Sequence, residues 1–187
     1  MYEPVGNSKL KYTETHFPIM PVINGYADNE EEIEIIAVLS DYEFARKNYE
    51  TFKHELNELI NNKNLKLCND SITVVDIPYD NTVENQLLTF SKLIDCIEKD
   101  DIIYACITYG NKPVPIVELL VLSYAQQMRL NAHIDCIVYG DLDRTVDPVR
   151  FRIFDVTALV YLNDILHTVS YMQLDNPTEQ IRKILSL

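Results

Sequence analysis

Short β-branched runs alternate with helical patterns through the middle of the chain. Ile33–Leu39, IEIIAVL, has the length and branching of a buried strand. Ser40-Asp41-Tyr42-Glu43 has capping-box spacing, and the pattern after it predicts a helix to about Ile60 with Phe44, Asn48, Phe52, Leu56 and Leu59 near one face. Asn61-Asn62-Lys63-Asn64 stops it. Ile72–Ile77 is the next strand. Asn81 and Glu84 then open a helix to about Glu98, with Val83, Leu87, Phe90, Ile94 and Ile97 expected inward. Asp101–Thr108 reads as a strand, Pro113–Leu130 as a helix and Ile134–Tyr139 as a strand. Strands alternating with helices over 33–139 predict βαβ units, and near-continuous apolar strands fit a parallel sheet covered on both faces.

The ends are less regular. Residues 1–16 hold little periodic signal. FPIMPVIN, residues 17–24, carries Pro18 and Pro21, which suits an edge strand or an irregular lead-in. Tyr139–Asp147 reads as a polar loop, Val149–Phe154 as a half-exposed strand and Asp155–Met172 as a helix. Asn176-Pro177-Thr178-Glu179 is a helix start. The expected fold is α/β: a Rossmann-like, mostly parallel sheet flanked by helices, with a small C-terminal strand and helix extension. Residues 1–187 read as a single domain. The amphipathic end at Leu187 leaves two readings open, a chain cut before a further domain and a helix packed on its own core.

Composition narrows the function classes. A net charge of −13 argues against a basic surface for duplex DNA. No apolar run reaches the length of a membrane span, and Met1 is not followed by a signal pattern, so membrane contact is not expected. Cys68, Cys96, Cys106 and Cys136 show no CxxC spacing. They read as reduced thiols, which points to a cytoplasmic protein. The histidines, 16, 54, 133 and 167, form no ligand pair, so neither a metal nor a cofactor is expected.

One segment carries chemistry. IIYACITYGNKP, residues 102–113, runs from an apolar strand through Thr108-Tyr109-Gly110-Asn111-Lys112 into a helix. Strand, tight polar turn and helix N-terminus together make an anion-binding arrangement, and Lys112 adds a full charge. Ligands of open parallel sheets bind beyond the carboxyl ends of the strands. Ser40-Asp41, Asn24-Gly25-Tyr26 and Tyr139-Gly140-Asp141 are each expected at such an end, although a cap or a turn accounts for each alone. Neither a Walker A loop nor the dinucleotide glycine pattern is present. No nucleophile elbow or paired-carboxylate spacing marks a catalytic site, and Arg129 with His133 straddles a helix end. Asp141, Asp143 and Asp147 lack a calcium-loop spacing.

ITYGNKPVPIVELLVLSYAQQ, then CIVYGDLDR, then FDVTALVYLNDIL, resembles the CARF domains of type III CRISPR ancillary proteins. The resemblance covers the order of elements over residues 30–175. It implies a homodimer that binds a cyclic oligoadenylate, tetra- or hexa-adenylate, across its two-fold axis as the sensor module of an antiviral defence protein. Any effector activity would then lie in another domain. Thr108, Tyr109, Gly110, Asn111 and Lys112 would contact phosphate and ribose, Asn24 and Gly25 would fall in the first ligand loop, and Ser40-Asp41 would lie near an adenine. The family often opens with a clean apolar strand, where this chain has FPIMPVINGY. The alternative is a metal-independent ring nuclease, in which Lys112 and a hydroxyl such as Thr108 would stabilise developing charge.

Overall fold

A computed structural model describes residues 2–128, 131–172 and 174–186. The expected positions Met1, Arg129, Leu130 and Leu187 lie outside these residues. The strands are β1 (Tyr2–Val5), β2 (Glu32–Ser40), β3 (Lys66–Ile77), β4 (Ile102–Cys106), β5 (His133–Asp143) and β6 (Arg150–Asp155). The helices are α1 (Met20–Tyr26), α2 (Glu43–Lys63), α3 (Val83–Ile94), α4 (Pro113–Gln127), α5 (Ala158–Tyr171) and α6 (Pro177–Ile184). The fold is α/β, with mostly parallel strands flanked by helices, consistent with a Rossmann-like architecture.

The strands form two hydrogen-bonded groups. One is a four-stranded sheet in the order β1-β6-β5-β4; the other is the pair β2-β3. β4 pairs parallel with β5, β1 parallel with β6, and β2 parallel with β3, while β5 and β6 are antiparallel. Among the described residues no ladder joins β2–β3 to the rest, so the four alternating strands read from the sequence do not form one continuous sheet. β6 sits between β1 and β5, so the C-terminal strand is an integral part of the sheet.

Several local expectations are corrected. Residues 17–24 form neither an edge strand nor an irregular lead-in through their length, because Met20–Tyr26 is helical. Proline costs little in the first turn of a helix, and Pro21 stands there, with Met20, Val22 and Ile23 buried beside it. β1 escaped the sequence pattern because it is four residues long and only Tyr2 on it is buried. The capping box at Ser40–Glu43 does not form: Tyr42 is the N-cap of α2 and no side chain caps it. Thr82 rather than Asn81 caps α3, accepting from the Asn85 N–H. Val83 and Leu87, expected inward, are exposed, and so is Phe44, although Leu56 on the same expected helix face is buried. The polar residues 139–143 extend β5 instead of looping, because Asp141 and Asp143 both pair with Arg152 across the antiparallel ladder, at 2.7 and 3.5 Å.

Two core groups position the strand ends. Val75 and Ile77 of β3 pack with Leu93 of α3 and with Val114, Val117 and Val121 of α4. Met20, Ile23, Leu56 and Leu65 lock α1 against α2 and the start of β3. α2 ends at Asn64, whose φ of 54° takes the left-handed conformation that closes a helix.

Candidate functional site

The carboxyl ends of β2, β3 and β4 are stitched together by hydrogen bonds, and the last of them is tied to β5 within its length. The Asp41 N–H, just past β2, donates to the Ile77 carbonyl at the end of β3 at 2.9 Å. The Asn111 side-chain amide donates to the Tyr79 carbonyl at 2.7 Å, joining the turn after β4 to the chain after β3. The Gly140 N–H of β5 donates to the Thr108 hydroxyl at 2.8 Å. Ser40, Asp41 and Thr108–Lys112 therefore share one edge, along with Gly140.

The turn itself is shaped by Gly110, whose φ of 107° disfavours any side chain. Its geometry turns the chain sharply into α4, and the Asn111 carbonyl accepts from the Val114 N–H at 2.8 Å. The first turn of α4 is a poorer anion site than its sequence suggests. Pro113 and Pro115 have no N–H, and the Val114 N–H is already bonded. Among the described residues, the N–H groups of Gly110, Asn111 and Lys112 have no hydrogen-bond acceptor, so the capacity for anions lies in the turn. Lys112 is exposed, and its ammonium makes no ion pair or hydrogen bond among the described residues.

Tyr109 braces the turn from the other side. Its hydroxyl donates to the His16 carbonyl at 2.5 Å and lies 3.3 Å from the Tyr2 hydroxyl. Its ring meets Phe17 edge-on, with centroids 5.9 Å apart. Burial, reinforced by the Tyr2 phenol, holds the Tyr109 phenol above its usual pKa, so it stays a neutral donor. Thr108 is likewise structural: its hydroxyl accepts from Gly140 and contacts the Cys106 sulfur at 3.2 Å.

Asn24 and Gly25 do not share this edge with Ser40, Asp41 and Thr108–Lys112. They lie late in α1, where Tyr26 rests on Tyr104 in the middle of β4, centroids 4.9 Å apart, and where Lys63, at the end of α2 just before β3 begins, reaches the Asn24 backbone. The Asn24 side-chain amide donates to the Thr13 hydroxyl, and the Asn24 backbone carbonyl accepts from the Lys63 ammonium at 2.7 Å. A Cβ on Gly25 would lie 2.1 Å from the Lys9 carbonyl oxygen, so this glycine serves close backbone approach. An open cleft of about 430 Å³ lies here, lined by Lys11, Gly25, Tyr26, Asp28 and Lys63. Lys63 is committed within it, since it also donates to the Ala27 carbonyl at 2.5 Å.

An aromatic group that the sequence pattern does not single out also stands at the strand-end edge. The Tyr42 ring stacks on Tyr79 at 4.7 Å and 19°, and Phe44 tilts against Tyr42 at 5.5 Å. Three exposed aromatics just past two strand ends were the available signal. Beneath the edge, Glu118 of α4 has a buried Oε2 without a hydrogen-bond partner, and burial pushes its carboxyl up to about 7. The four cysteines are free. Among the described residues no cluster of metal-ligating side chains occurs, and no helix is long and apolar enough to cross a membrane.

Compared with known protein families and with curated proteins, the chain matches none.

Proposed function

We propose that the chain binds a cyclic oligoadenylate, tetra- or hexa-adenylate, as a homodimer, and serves as the CARF-type sensor module of a type III CRISPR defence protein. The observation that carries the reading is the turn after β4: three consecutive unpaired N–H groups and a free lysine at the carboxyl edge of a parallel strand pair. Those groups suit a phosphodiester, which offers charge and two acceptor oxygens but no donor.

A second copy completes such a site. α4 exposes Ile116 and Leu120, one and two turns beyond Lys112, at 61% and 55% of their surface. A chain of net charge −13 repels its own copy, so an uncharged stripe is where two copies can meet. Pairing on it would bring two Lys112 side chains toward one two-fold symmetric ring. Binding is preferred to ring cleavage because the Thr108 hydroxyl is already engaged in bracing β4 to β5.

The test is incubation with cyclic tri-, tetra- and hexa-adenylate. Melting temperature is followed, and the nucleotide is recovered for chromatography. A rise in melting temperature with intact ligand supports a sensor. A linear product supports the ring nuclease. No shift and no product with any ring overturns both.

A further inference from the structure

Tyr42 is the N-cap residue of α2, yet its side chain makes no capping hydrogen bond. Its backbone is extended, with φ −146° and ψ 137°, and its ring stacks on Tyr79 from the neighbouring strand end. Burial does not explain this pair. Tyr42, Tyr79 and Phe44 still expose 44%, 47% and 60% of their surface. Exposed, nearly parallel rings with open area are the usual means of holding a nucleobase, because every base has a π-face.

The pair is also tied to the anion-capable turn. Asn111 holds the Tyr79 carbonyl at 2.7 Å, and the next residue is Lys112. The neighbouring Asp41 is largely exposed, and the Arg46 guanidinium lies 3.7 Å from its carboxylate. A carboxylate beside an aromatic face accepts a hydrogen bond from an exocyclic amino group, which adenine carries and hypoxanthine lacks.

We propose that Tyr42 and Tyr79 form a purine platform, on which an adenine base stacks while its phosphate engages the turn at Gly110–Lys112. The platform rests on the reading that this edge takes an adenylate ligand. It adds the residues that hold the base and a preference for an amino-bearing purine.

The experiment measures affinity for cyclic tetra- and hexa-adenylate, adenosine 5′-monophosphate, inosine 5′-monophosphate and ribose 5-phosphate. The proteins are wild type, Tyr79→Leu, Tyr79→Phe and Tyr42→Leu, each first checked for an unchanged melting temperature. The chain holds no tryptophan, so tyrosine emission gives a second readout of the stack. The platform predicts that each leucine variant loses about 5- to 100-fold in affinity for a ring, while Tyr79→Phe stays within about twofold of wild type. It also predicts tighter binding of adenosine than of inosine monophosphate. Ring binding that survives both leucine changes overturns the platform and leaves the cyclic oligoadenylate reading standing. If no ring binds, but adenosine monophosphate binds more tightly than ribose 5-phosphate and Tyr79→Leu abolishes that gap, the platform stands and the ring reading falls. No ring binding, with adenosine monophosphate no tighter than ribose 5-phosphate, overturns both. If one leucine variant melts early, the other and Tyr79→Phe still decide the outcome.

Discussion

The Asn111 side-chain amide donates to the Tyr79 carbonyl at 2.7 Å, across 32 residues of sequence. This bond links two parts of the molecule that share no strand ladder among the described residues, the β2–β3 pair and the four-stranded sheet. It sets the polar turn beside the exposed tyrosines.

Asn111→Ala removes that link. The loss of one partly exposed hydrogen bond is expected to cost about 1 kcal/mol, read as a lower urea midpoint with an unchanged slope. It should also weaken nucleotide binding, since the turn and the Tyr42–Tyr79 pair would no longer be held in register. An unchanged midpoint and affinity would show that the bond is incidental.

Gly110→Ala places a side chain at φ 107°, with its Cβ 3.2 Å from the Val114 Cβ. The expected cost is about 1–3 kcal/mol, measured by equilibrium unfolding. Stability equal to wild type would mean that the turn adopts another conformation in solution.

Glu118 gives a pH dependence whose sign follows from its environment. Its folded-state carboxyl is raised from the usual 4.5 to about 7, because the group is buried without a partner for Oε2. The stabilising contribution of its protonated form is fully present below about pH 4.5 and is lost as pH rises toward 7. Glu118→Gln removes the titration. It is expected to raise stability by about 3 kcal/mol above pH 7 and to flatten the decline between pH 4.5 and 7. Matching pH profiles for the two proteins would mean that this carboxyl finds a partner in solution.

The elements with strong periodicity were legible in the sequence, and those shaped by partners were not. β2, β4 and the second half of β3 are runs rich in branched apolar residues, and α4 and α6 carry proline at the start, so a local rule suffices for each; the first half of β3, Lys66–Ser71, is largely polar and is a strand through its pairing with β2. α1 is not legible locally, because Pro18 and Pro21 suit an edge strand or an irregular lead-in as well as the approach to a helix, while the contacts that make it a helix come from Leu56 and Leu65 far along the chain. β5 outran its apolar core because Asp141 and Asp143 find Arg152 on β6, a partner no local pattern reveals. At the site, Thr108–Lys112 stood out as a mixture of glycine, amide and lysine after a strand. Tyr42 and Tyr79 did not, because only the β2–β3 pairing brings them together.

Leu120→Glu tests the second copy. A charge in the middle of the exposed stripe on α4 is expected to shift the protein toward monomer in sedimentation velocity and to weaken ring binding at least tenfold, with little change in folding stability. A variant that keeps both the wild-type sedimentation coefficient and full affinity would place the dimer elsewhere.

The most direct test of the account is a calorimetric titration of cyclic tetra- and hexa-adenylate into wild type and Lys112→Ala, at low and at physiological salt. One ring per two chains is expected for wild type, with affinity falling as salt rises. Lys112→Ala should lose about 1.5–3 kcal/mol per charge-assisted contact while melting at the wild-type temperature. A wild type that takes up neither ring, or a Lys112→Ala variant that binds as tightly as wild type, would contradict the turn at Gly110–Lys112 as a phosphate site for these ligands.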